Sequence, residues 1–227
     1  MEPNSINQKL PTKCMVSQED IDVAKSTSAW DFGNKVLYKL CEEHPYHNNE
    51  QEIIAKVWLI GRAYAAALER KRKNLKIYDS DEFYEKIVVN EMKSFDIDRL
   101  LSELPNKLDE HYVTLGQAIS LHKKLVDRFK EMTGLDKRSL ASKYLHFHKP
   151  LLFYIYDSRA NASIKSIVSN ASDAVDIIAD DYDKEYLIFC RRCQWLVDNI
   201  YSIYGKRLTP RQIDKMLLHI ASKKAKQ

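Results

Sequence analysis

Across 227 residues the chain is 44% hydrophobic and 30% charged, with a net charge of +4 and a pI near 8.7. That length holds one large domain or two closely packed lobes, and that composition calls for a packed core under a charged surface. Five glycines and six prolines are too few for an all-β fold, which needs a turn every few residues.

No apolar run reaches the length of about 18 residues that a transmembrane helix needs. The start, MEPNSINQKLPTKCMVSQED, lacks the basic-then-apolar order of a signal peptide. The expectation is a cytoplasmic protein, not membrane-bound, with its four cysteines held as thiols. A pI on the basic side is compatible with nucleic acid but does not require it. Basic clusters fall at Arg70–Lys73, Lys137–Arg138, Arg191–Arg192, Lys206–Arg207 and Lys223–Lys226. Each taken alone reads as a solvated helix face or a helix end.

In chain order, residues 1–16 read as a flexible arm and residues 17–227 as one two-lobed all-α domain. Ser17 with Asp20 forms a capping pattern for a short helix to about Lys25. Further helices are expected over Ser28–Glu43 and over Glu50 to about Lys73. In the second of these Ile53, Val57, Ile60, Tyr64 and Leu68 recur at helical spacing. Ser80 opens a helix to about Lys93, and Asp96 a short one to Leu104. A long helix from Thr114 ends near Gly134, and Ser139–His148 forms the next, stopped by Pro150. The apolar run LLFYIY has no visible partner strand and reads as an extended connector buried in the core. Helices over Ser158–Ser169 and Asp183–Tyr204, and a last one opened by Thr209-Pro210, complete the pattern.

The stretch from Thr133 to Ile164, TGLDKRSLASKYLHFHKPLLFYIYDSRANASI, carries the chemistry. Gly134, Ser139, Ala141 and the approach Phe153-Tyr154-Ile155-Tyr156-Asp157 resemble the core of the helix-hairpin-helix (HhH-GPD) DNA glycosylases. In that family a glycine-containing hairpin, a Lys or Ser, and an aspartate about 18 residues later form the site. The resemblance covers about 30 residues within a hairpin and catalytic helix at 133–169, and departs in two respects, the hairpin glycines and the serine at 139. The second hairpin glycine is absent from Gly134-Leu135-Asp136-Lys137-Arg138, where such glycines admit a DNA phosphate to backbone amides.

The resemblance implies a DNA base-excision glycosylase that hydrolyses the N-glycosidic bond of a damaged or modified base. Asp157 would be the catalytic carboxylate, because the sugar develops oxocarbenium character that a carboxylate stabilises. Ser139, in the place of the Schiff-base lysine of bifunctional members, is nearest to the adenine-removing pattern and implies a monofunctional enzyme, unless Lys137 or Lys143 reaches the pocket. Gly134, Lys137, Arg138 and Lys143 would contact double-stranded DNA carrying a flipped base.

Trp58, Arg62, Glu69, Tyr144 and Tyr156 are candidates for the base pocket, with Arg62 and Glu69 expected on one helix face; Trp30 is a further stacking candidate. Most of these aromatics also suit an ordinary core. Asp157 equally suits a plain helix N-cap, and His146 and His148 read as packing or surface groups. Cys190 and Cys193 form a C-x-x-C inside an apolar helix and read as core thiols, so no iron–sulfur cluster, metal or other cofactor is expected. A monomer is expected. The rival readings are a non-catalytic helix-hairpin-helix DNA-binding protein and a helical protein-interaction module.

Overall fold

The computed structural model describes residues 16–71, 79–108, 112–168 and 176–224. It is all-helical, with no strand among the described residues. The elements are α1 (Gln18–Lys25), α2 (Asp31–Glu43), α3 (Glu50–Ala63), α4 (Ser80–Glu82), a π-helical turn (Phe83–Val88), α5 (Val89–Ser94), α6 (Ile97–Glu103), α7 (Val113–Thr133), α8 (Arg138–His148), α9 (Ser158–Ile167), α10 (Lys184–Tyr204) and α11 (Pro210–Lys224).

Most boundaries fall where the caps put them. Ser17 and Asp20 form a reciprocal capping box at α1. Gly134 (φ 70°) and Gly205 (φ 63°) close α7 and α10 in the left-handed conformation that glycine adopts without penalty. Residues 1–15 of the expected arm lie outside the described residues. Val16 does not belong to an arm: it is buried, and its carbonyl accepts a hydrogen bond from the Tyr204 hydroxyl at 2.8 Å.

Two expectations need correction. The second helix begins at Asp31, not Ser28, because the Asp31 carboxylate accepts from both the amide and the hydroxyl of Ser28 and holds that residue outside the helix. The third ends at Ala63, not near Lys73: Ala65 turns left-handed (φ 51°), and the Ala66 amide closes on the Gly61 carbonyl at 2.8 Å. A β-carbon on Gly61 would sit 3.1 Å from the Ala67 Cα, so the missing side chain lets the chain fold back over the helix.

There are two apolar cores. The first gathers residues of α2, α3, the π turn, α5, α6 and α8 with Leu152 and Phe153. The second gathers α1, α9, α10 and α11 with Tyr154 and Tyr156. Two elements belong to both. Helix α7 gives Leu115 and Ile119 to the second core, and Leu121, Leu125 and Phe129 to the first. The LLFYIY run is the other: the expected buried connector holds for Leu152–Tyr156, whereas Leu151 is exposed in the turn that follows α8.

A buried extended chain without a partner strand leaves its amides and carbonyls to be satisfied by side chains. That is what happens here. His146 Nδ1 donates to the Phe153 carbonyl (2.9 Å) and the Tyr186 hydroxyl to the Tyr154 carbonyl (2.8 Å). Ser139 Oγ (3.2 Å) and Lys143 Nζ (3.0 Å) donate to the Tyr156 carbonyl, and Ser142 Oγ accepts from the Tyr156 amide (2.9 Å).

His122, His146 and His148 are held neutral by burial, with the pKa of His122 and of His146 lowered from 6.5 to about 4. Their stabilising contribution is therefore complete above pH 6.5 and is lost as pH falls through about 4. Each contributes a slope of about 1.4 kcal/mol per pH unit. Denaturant unfolding is expected to show stability falling steeply between pH 6.5 and 4, and a flat profile there would contradict the buried neutral histidines. At Gly116 a β-carbon would lie 1.9 Å from the Ile178 carbonyl oxygen. Gly116→Ala is expected to destabilise by about 1–3 kcal/mol in the same measurement.

Candidate functional site

Ionisable groups from three distant parts of the chain meet where the two cores join. Helix α8 supplies Ser139 and Lys143, four apart and so on one face. The start of α9 supplies Asp157, and α11 supplies Asp214 and Arg211. Lys143 is 2% exposed, donates to Ser139 Oγ at 2.5 Å and to the Tyr156 carbonyl, and has its nitrogen 5.7 Å from the Tyr64 ring centroid. Burial lowers its pKa, against the opposing pull of Asp157 and Asp214.

Asp214 is also 2% exposed and accepts from Arg211 Nη1 at 2.6 Å. Burial raises its pKa to about 6, with Asp157 adding to the rise and Arg211 and Lys143 opposing it. A buried carboxyl poised near neutrality beside a second carboxylate is the electrostatic arrangement that acid–base sites use.

Asp157 is the N-cap of α9. Its Oδ1 accepts from the Arg159 amide at 2.9 Å, its side chain is 26% exposed, and the Arg159 guanidinium lies 3.5 Å away. Around this cluster stand Tyr38, whose hydroxyl bonds His146 Nε2 at 2.6 Å, and Tyr64, whose hydroxyl donates to Asn34 Oδ1 at 2.7 Å. His146 Nδ1 faces a carbonyl and so carries the proton, which leaves Nε2 to accept from Tyr38.

The structure joins Ser139 and Lys143 to the Tyr156 carbonyl, with Asp157 the next residue and within electrostatic reach of Lys143; the remaining expected site residues lie elsewhere. Gly134 caps α7. Lys137 donates to the Arg70 carbonyl at 2.6 Å and the Ala67 carbonyl at 3.4 Å. Arg138 grips both oxygens of Asp183 at 2.7 Å and Glu185 at 2.9 Å. The two hairpin cations are therefore engaged within the protein.

Trp58, Arg62 and Glu69 form a separate group. Arg62 pairs with Glu69 at 2.5 Å across the turn that ends α3, and its guanidinium lies 5.7 Å from the Trp58 ring centroid. The shared helix face expected for Arg62 and Glu69 is absent, because Glu69 lies beyond that turn. Its other oxygen accepts from the Tyr84 hydroxyl at 2.7 Å. Tyr144 is in the first core, with its hydroxyl 2.5 Å from His47 Nε2; the other ring nitrogen of His47 meets Asp98. Tyr156 turns away from the cluster, toward Glu185 at 2.5 Å. Cys190 and Cys193 are fully buried thiols in the second core.

Sequence reasoning missed Asp214, Arg211, Tyr38 and Asn34. Their only sequence signal is an aspartate on the apolar side of the last helix, between Ile213 and Met216.

Two larger cavities lie to either side. One, of about 620 Å³, opens between α2, α6 and the end of α8, with Tyr38, Cys41, Asp98, Phe147 and His148 in its wall. The other, of about 400 Å³, lies between α9 and the start of α10. Asp157 lines neither.

Because the folded pKa of Asp214 is raised from 3.8 to about 6, its stabilising contribution is complete below 3.8 and lost as pH rises through 6. Asp214→Asn is expected to stabilise the protein by about 1–3 kcal/mol at pH 8, with the gain growing between pH 4 and 6. Destabilisation at pH 8 would mean that the Arg211 pair outweighs the burial.

Comparison of the chain with protein-family models, with curated proteins and with solved structures returned no match.

Proposed function

We propose that the protein hydrolyses the N-glycosidic bond of a base extruded from double-stranded DNA. The observation that carries this reading is the meeting of Asp157, Lys143 and Asp214 at the junction of the two cores. Burying such charges costs several kcal/mol of desolvation that an apolar junction would avoid. Their presence there fits a site whose chemistry needs them. Asp157, the more exposed of the two carboxylates, is the group to stabilise the developing oxocarbenium ion. Asp214 is the candidate proton donor or acceptor near neutral pH. Lys143 positions Ser139 and the Tyr156 carbonyl, and through them the backbone that carries Asp157. Its near-complete burial favours attack by water over attack by its amine.

One observation favours a second reading, a DNA-binding protein without base cleavage. Asp157 is engaged as a helix cap and, although 26% exposed, lines neither of the two larger cavities, so neither cavity would seat a base against it.

The test uses duplexes carrying a panel of deaminated, alkylated and oxidised bases, with base release measured directly. Asp157→Asn still caps the helix, so melting temperature and DNA affinity should hold while release falls by at least about a hundredfold. Borohydride should trap no protein on DNA, because the reading includes no Schiff base. Equal release by wild type and Asp157→Asn would remove Asp157 from the chemistry. Duplex binding without release from any substrate would establish the second reading.

A further inference from the structure

The cavity of about 400 Å³ is walled by Asn161 and Lys165 of α9, by Lys184, Glu185, Ile188 and Arg192 of α10, and by Arg138 and Asp183. Four of these residues are cationic and two anionic, and the two carboxylates are already occupied. Asp183 takes two bonds from Arg138 and one from the Tyr186 amide. Glu185 takes Arg138 on one oxygen, and the Tyr156 hydroxyl and Asn161 Nδ2 on the other. Arg138 is thereby neutralised.

Lys165, Lys184 and Arg192 remain, and among the described residues none of them has a carboxylate within ion-pair distance. Arg192 is the telling one. It is 8% exposed, and its Nε and Nη1 are buried without a hydrogen-bond partner. A guanidinium is always charged and carries five N–H donors, so its unpaired edges attract an anion. Leaving two of those donors unpaired inside the protein is costly unless something fills the place. Asn161 Oδ1, in the same wall, is a buried acceptor also without a partner.

We propose that this cavity binds a phosphate group. Arg192, Lys165 and Lys184, all in its wall, supply the positive charge that holds the phosphate oxygens, and Asn161 adds a polar group beside them. The volume exceeds a single phosphate, which leaves room for the group that bears it. The phosphate can belong to a nucleic-acid backbone or to a free phosphorylated small molecule. This inference is independent of base cleavage, since none of these residues belongs to the Asp157 cluster.

The full-length protein is titrated calorimetrically with inorganic phosphate at constant ionic strength, up to about 10 mM, with melting temperature followed in parallel. Wild type should bind one phosphate saturably and melt higher in its presence, and chloride should do neither. Arg192→Gln should weaken phosphate binding at least about tenfold. Since that substitution touches a buried position, Lys165→Ala with Lys184→Ala, both exposed, provides a second variant and should weaken binding by a similar factor. An undamaged duplex is then added. Displacement of phosphate by the duplex identifies a backbone phosphate as the natural occupant, and phosphate binding that the duplex leaves untouched identifies a free phosphorylated compound. Absence of saturable binding by the wild type, or binding that survives both variants, overturns the proposal.

Discussion

Five residues of the run LLFYIY, Leu152–Tyr156, hold the molecule together. They pass through the interior, where an unpaired backbone is not tolerated, and no strand among the described residues satisfies it. Helix α8 takes that role with side chains: His146, Lys143, Ser142 and Ser139 each bond a main-chain atom of the run. Tyr186 of α10 completes the set. Because Leu152 and Phe153 enter one core while Tyr154 and Tyr156 enter the other, the same run joins the two halves. The buried polar residues of α8 thus have a structural reason to exist, and Asp157 stands where it does because the run ends there.

That reason bears on the chemistry. Ser139 and Lys143 are occupied in holding the backbone, so their closeness to Asp157 follows from the architecture. Asp214 and Arg211 have no such duty toward the run. A carboxylate brought from the last helix is buried within electrostatic reach of a second one, and its single ion-pair partner among the described residues is Arg211 of the same helix. This is the pattern by which a site is told from a scaffold.

The surface charge divides in a related way. The chain is basic overall, yet many of its cations serve the fold. Lys137 caps carbonyls, Arg138 ties α8 to α10, Lys223 pairs with Glu19 and Asp20, and Lys215 reaches the Ser26 carbonyl. Net charge therefore overstates the capacity for phosphate contacts. The cations at the wall of the α9–α10 cavity that have no carboxylate partner among the described residues are distinguished by what their neighbours have already bound.

The sequence by itself determined the helical class and most of the element ends. Capping residues, prolines and left-handed glycines act over three or four residues, and Ser17, Pro150, Gly134 and Gly205 needed no tertiary partner to do so. It also marked LLFYIY as a buried connector, which holds for Leu152–Tyr156 but not for Leu151, and placed Asp157 at the head of a helix. Tertiary structure alone decided the rest. Where α3 stops depends on Gly61 admitting Ala67, a contact that helical periodicity does not encode. Only the packing of α8 against the run turned Lys143 inward. Only the packing of α11 against α9 brought Asp214 to the seam, more than fifty residues along the chain from Asp157. Local preference is written in neighbouring residues, whereas the burial that sets a pKa or leaves an arginine unpaired is a sum over contacts from the whole chain.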